Sequence, residues 1–266
     1  MAFLFALFSA LALAAAPTGA WPTPVVLTTD DGVALQATVG APPKAERGVV
    51  FVHMAGREQS DWQGVVESFY RQGLLVLTLD LRGHGANVTG TPPTLSGADW
   101  SAMTKDVRAG VAELRRRGAK KVALVGAEVG ANLALNVAAD DSGIASVVML
   151  SPGLDYKGIL TGEAAKRYDR SVLFVASSED TYAVRCANAL DSVVKGPHRV
   201  KVLENAGKGT RMFNHEPTLT GELVGFVNTS WTAPVATQPK GEVGITVETK
   251  EMETHGPKIG DTVVPQ

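Results

Sequence analysis

The chain has 266 residues, 45% hydrophobic and 20% charged, and the charges nearly balance at a net −2. That length suits one large α/β domain with a substantial core, and without a basic excess a nucleic-acid partner is not expected. The single cysteine, Cys186, can form neither an internal disulfide nor a zinc site, so neither metal nor cofactor is expected.

Met1 to Ala16 is apolar throughout, and Pro17-Thr18-Gly19-Ala20 interrupts the run. About 16 apolar residues fall short of the roughly 20 that a membrane span needs. Small residues and a helix breaker at the end resemble a signal-peptidase site. The expectation is an exported chain, periplasmic or secreted, that loses residues 1–20, or 1–16, and then has no membrane association. An uncleaved anchor is the alternative, because no Lys or Arg precedes the run; no cysteine follows it, which speaks against a lipoprotein.

Val25 to Thr28 and Val33 to Val39 read as strands around the Asp30-Asp31-Gly32 turn. Gly48 to His53 is a continuous apolar run, as a buried parallel strand should be. Ser60 to Arg71 reads as a helix that Ser60 or Asp61 caps, and Leu74 to Leu81 as a second buried strand. Trp100 to Arg117 places Met103, Val107, Val111 and Leu114 at helical spacing. Lys121 to Val125 is a third buried strand and Asn132 to Ala139 an apolar helix. Ser146 to Leu150, Ser171 to Ala176 and Arg199 to Leu203 read as further strands; Tyr182 to Val194 and Pro217 to Trp231 read as helices. Cys186 lies in the first of these and reads as a small buried residue.

Such alternation implies a mostly parallel sheet with helices on both faces, in one domain spanning residues 25–231. Residues 232–266 change composition toward Pro, Gly, Thr, Lys and Glu and are expected as a flexible tail, although Val243 to Val247 alternates like a strand. There is no internal repeat.

The strongest local pattern is Gly126-Ala127-Glu128-Val129-Gly130, between the third buried strand and an apolar helix. It lacks the second glycine and the early position of a dinucleotide-binding turn, and the Gly-Lys-Ser/Thr of a phosphate loop. A tight strand-to-helix turn crowds its centre, so the neighbours must be tiny; Gly126, Ala127, Gly130 and Ala131 are. Four more patterns occur in order: His53-Met-Ala-Gly56, Asp80-Leu-Arg-Gly-His-Gly85, Leu173-Phe-Val-Ala-Ser-Ser-Glu-Asp180 and Leu203-Glu-Asn-Ala-Gly-Lys-Gly-Thr210. Together these resemble the α/β-hydrolase fold family of serine hydrolases and esterases, whose nucleophile elbow reads Gly-x-Ser-x-Gly.

The resemblance implies an α/β-hydrolase fold with little or no cap, since only Gly153 to Tyr168 is available for one. It implies that Glu128 stands at the nucleophile, Asp180 at the triad acid and Lys208 at the histidine. Met54 or Ala55, with Val129, would supply the oxyanion main-chain N–H groups, and Met54 replaces the family's glycine. His84 falls in a turn that is structural in the family. His198 and His215 read as turn and capping residues, and His255 lies in the tail.

A serine needs a histidine-like base to attack an acyl carbon, and neither is present at these positions. Relatives with a carboxylate at the elbow use aspartate and still need the histidine. A lysine is a poor base unless its pKa is depressed, and a neighbouring carboxylate acts the other way. The two departures carry opposite charges, so a Glu128–Lys208 ion pair is expected; at about 4 Å and an effective dielectric of about 20 its gross attraction would be about 4 kcal/mol, less desolvation. The helix N-terminus also favours a carboxylate at 128. Three readings follow: a catalytically impaired homologue with a binding or structural role and a small-molecule ligand in the elbow pocket; a hydrolase of small esters, amides or lipids by an altered mechanism; and a different enzyme class on this fold.

Overall fold

The computed structural model describes residues 20–88, 90 and 93–232; the expected leader before Ala20 and the tail after Thr232 lie outside the described residues. Among the described residues ten strands and seven helices alternate. The strands are β1 (Ala20–Thr28), β2 (Ala34–Ala41), β3 (Arg47–Val52), β4 (Leu75–Leu79), β5 (Lys121–Ala127), β6 (Ile144–Leu150), β7 (Asp155–Tyr156), β8 (Ile159–Leu160), β9 (Ser171–Ser177) and β10 (His198–Leu203). The helices are α1 (Gln63–Arg71), α2 (Gly97–Arg116), α3 (Val129–Asp140), α4 (Gly162–Arg167), α5 (Thr181–Asp191), α6 (Met212–His215) and α7 (Leu219–Ser230).

Eight strands form one sheet in the order β1-β2-β4-β3-β5-β6-β9-β10. Pairings of β1 with β2 and of β2 with β4 are antiparallel, and every other pairing is parallel. A parallel sheet buries both faces, which is why β4 and β9 are apolar or small and inaccessible at nearly every position. On one face lie α2, α3 and α5, with Met103, Val107, Val111 and Leu114 of α2 buried as the helical spacing requires. On the other lie α1, α6 and α7, through Val65, Val66, Phe69, Met212, Leu219, Leu223 and Val227. Burying each of these larger side chains contributes roughly 1.5–3 kcal/mol. Among the described residues no helix is long and apolar enough to cross a membrane.

Helix boundaries follow local chemistry. α2 begins before Trp100 because Ser96 and Asp99 form a reciprocal capping box. α3 starts directly after Glu128, earlier than its apolar run suggests, because the elbow itself launches it. The expected last helix is α7, which starts two residues after Pro217; the short α6 precedes that proline. The Asp80-to-Gly85 turn is a brace. Asp80 accepts the Gln59 and Ala86 N–H groups at 2.7 and 3.0 Å, and Arg82 joins Asp106 at 2.6 Å to Asp31 at 2.9 Å. His84 is buried against the rings of His53 and Trp100.

The helices α4 and α6 and a two-stranded hairpin were not expected from the sequence. Between β6 and α4 the chain forms a two-stranded hairpin, β7–β8, turning at Lys157 and Gly158, both with positive φ. Asn132 of α3 holds it, donating to the Ile159 carbonyl at 2.8 Å and accepting the Gly153 N–H at 3.1 Å. The hairpin and α4 are all that the segment available for a cap forms.

Candidate active site

The elbow ends β5 and starts α3 in a single residue. Glu128 has φ +48° and ψ −116°, a conformation that costs a non-glycine residue of order 1–3 kcal/mol. The surroundings enforce it. The Glu128 N–H donates to the Leu150 carbonyl of β6 at 2.9 Å, and its own carbonyl accepts from Ala131 and Asn132. A Cβ at Gly126 would run into the Gly130 carbonyl, and one at Gly130 into the carbonyls of Val52 and His53. The two glycines are there for backbone approach, as the crowding argument expects.

Glu128 faces a cavity of about 240 Å³ lined also by Ala55, Val129, Tyr156, Lys157, Tyr182 and Lys208. Ala55 follows β3 and Val129 opens α3; among the described residues neither N–H has a hydrogen-bond acceptor, so two main-chain donors are free beside the carboxylate. Met54 does not line the cavity: it is buried, with its sulfur packed beneath Gly209. Tyr156, Lys157 and Tyr182 come from the hairpin and from α5, and the two tyrosine rings meet edge to face at 5.5 Å. Both phenols are pushed above the ordinary tyrosine range by burial first; nearby anions, Glu128 foremost, add to the effect at Tyr156.

The expected Glu128–Lys208 ion pair is not formed. Lys208 Nζ lies 3.5 Å from Asp180 Oδ1, and among the described residues Glu128 has no cation within 4 Å. The lysine thus faces Asp180 and not Glu128. Asp180 caps α5 through the Ala183 N–H at 3.3 Å and is almost inaccessible; its Oδ2 has no hydrogen-bond partner among the described residues. Glu128 is pushed above the ordinary carboxylate range, by burial first, against the pull of Lys208 and with the push of Asp180.

The Lys208 loop is firmly held. Ser151 Oγ accepts the Gly209 N–H at 2.9 Å, Ser177 Oγ the Ala206 N–H at 2.7 Å, and Glu179 the Gly207 N–H at 2.6 Å. Thr210 donates to Asp61 at 2.9 Å. Glycines at 207 and 209 adopt φ +85° and +53°, so the loop frames position 208 as a rigid mount. No histidine lines the cavity among the described residues. His53 is buried with both ring nitrogens engaged: Nε2 accepts the Leu81 N–H at 3.0 Å, which leaves the proton on Nδ1, 2.7 Å from the Met54 carbonyl oxygen. His215 lies beside Gly207, outside the cavity.

A larger hollow of about 460 Å³ sits between the loops after β3 and β4, near Arg57, Asp61 and His84. Its arginine and aspartate are already matched: Arg57 pairs with Asp61 at 2.5 Å, Asp61 also accepts from Thr210, and Glu58 accepts from Ser60. The elbow cavity, with unmatched polar groups, is the better candidate site. Tyr156 and Lys157 carried no sequence signal, since the hairpin that brings them in has strands of two residues; Tyr182 lies on the expected helix α5, and only the hairpin beside it makes it part of the cavity.

A model of the family described as serine aminopeptidase, S33, matches residues 43–207. No curated protein matches the chain in sequence. Among solved structures, a Pyrococcus furiosus esterase superposes with TM-score 0.64 at 16% identity, over 78% of this chain and 90% of that one. A predicted CIB-like hydrolase from Thermoplasma acidophilum gives 0.65 at 14% identity, over 79% and 99%. A putative aryl esterase from Burkholderia cenocepacia gives 0.61 at 16%, over 79% and 100%.

Proposed function

Because the chain belongs to the serine aminopeptidase S33 family and has the α/β-hydrolase fold, we propose that it is a member whose hydrolytic triad has been dismantled and whose elbow cavity binds a small ligand without cleaving it. One observation carries this reading: position 128 presents a carboxylate, and the group 3.5 Å from the acid Asp180 is an ammonium. A hydroxyl nucleophile and a base to deprotonate it are both missing. A carboxylate nucleophile at 128 would still need a base to direct water onto the resulting ester, and no histidine reaches the cavity among the described residues. The free Ala55 and Val129 N–H groups support binding, since they suit any small oxygen acceptor. The apolar leader supports a place of action outside the cytoplasm.

The test is direct. The purified protein should not label with a fluorophosphonate probe, and its turnover of p-nitrophenyl acetate should not exceed that of Glu128→Ala. Labelling that persists in Glu128→Ala would establish another nucleophile and remove the proposal.

A further inference from the structure

Resting on the reading that this cavity binds rather than cleaves, we propose that its ligand is a small zwitterion, an amino-acid-sized molecule carrying one ammonium and one carboxylate. The cavity holds two charged groups of opposite sign without partners. The Glu128 side chain has no hydrogen bond or ion pair among the described residues, and neither has that of Lys157. They border the same space yet lie too far apart to pair with one another. Lys208, the remaining lining cation, is tied to Asp180.

Each end of a zwitterion finds its complement. The ammonium fits beside the unpaired Glu128 carboxylate, in a cavity that Tyr156 and Tyr182 also line. The carboxylate fits toward Lys157, with the Ala55 and Val129 N–H groups as donors. A lone cation would leave Lys157 and the two N–H groups unmatched, and a lone anion would meet the Glu128 carboxylate. At about 240 Å³ the space is below the roughly 300–1,000 Å³ of drug-sized ligand sites, so the ligand is small.

The placement of Lys157 is a second, independent observation. It sits with φ +56°, followed by Gly158 at +82°, a two-residue hairpin turn in which Asn-Gly or Gly-Gly is strongly preferred. Lysine is a poor choice for the backbone there. Lys157 lines the cavity, which gives the position another use.

The experiment is isothermal titration calorimetry at pH 7 with glycine, alanine, valine and leucine. Each is compared with its two halves: the amine lacking the carboxylate and the acid lacking the amine. At least one amino acid should bind tenfold or more tightly than both of its halves. Glu128→Gln should lower that affinity to the level of the carboxylic acid. Lys157→Asn, which suits the turn better than lysine and so keeps the fold, should lower it to the level of the amine. Saturable binding of the acid half as tight as the amino acid, or no saturable binding of any of the four at millimolar concentration, would overturn the proposal. Turnover of p-nitrophenyl acetate by the wild type would overturn the loss of catalysis instead, whatever the amino acids do, so the two failures are distinguishable.

Discussion

Glu128 is held in a strained elbow with its carboxylate half-buried and unpaired, and that fixes the sign of its contribution to stability. Its folded pKa is raised. The folded state therefore holds this proton to higher pH than the unfolded chain, and stability is lost as pH rises from the ordinary carboxylate value through the raised one. Glu128→Gln should stabilise the protein above that window, by up to about 1–2 kcal/mol, and have little effect below it; urea melts at pH 4 and pH 8 would show this. Lys208→Met should do the reverse, destabilising by about 1–2 kcal/mol, because it leaves the nearly inaccessible Asp180 with one main-chain donor. The ion pair expected from the sequence would require both changes to destabilise, so opposite signs separate the two arrangements. The positions of Glu128, Asp180 and Lys208 were legible from the turn patterns around them. Which carboxylate the lysine chooses was not, because that depends on side-chain placement across three loops. The same mounts permit a chemical test: Glu128→Ser with Lys208→His puts a serine before two free N–H donors and a histidine beside Asp180. Weak esterase turnover of p-nitrophenyl acetate is expected in the double variant and none in either single one. An inert, folded double variant would mean that the cavity no longer positions an ester.

The strands were readable because buried parallel strands are unbroken apolar runs, and α2 because its apolar residues recur at helical spacing. The hairpin β7–β8 was not, since strands of two residues have no period to detect. Its position depends on tertiary bonds from Asn132 and Asn136 to Ile159 and Leu160. Asn132 is fully buried, and its amide serves both sides of the hairpin. Asn132→Ala leaves a buried carbonyl and a buried N–H without partners, at about 1–3 kcal/mol each. The expected result is a loss of global stability together with faster amide exchange at Tyr156 and Ile159. Unchanged exchange there would show that the hairpin is held by other contacts.

Across the whole molecule, acid sensitivity should trace to a residue outside the cavity. His53 is lowered from 6.5 to about 4, by burial first. The unfolded chain takes up this proton between those values and the folded state does not. The stabilisation is complete above about pH 6.5 and is lost as pH falls toward 4, by at most about 3 kcal/mol. Equilibrium unfolding from pH 4 to pH 7.5 should show this slope, and His53→Gln should reduce it. The His53 ring should also titrate near pH 4 by NMR; titration near 6.5 would contradict the assignment. His53 adjoins the elbow, since the carbonyls of Val52 and His53 press on Gly130. That junction of β3, β5 and α3 separates two kinds of inheritance. The side chain at 128 enters open space and answers only to chemistry, so it can be exchanged once the chemistry is no longer selected. The glycines on either side answer to main-chain atoms of neighbouring elements and can be exchanged only by rebuilding the centre of the sheet. A change of residue at 128 thus leaves the elbow standing as architecture.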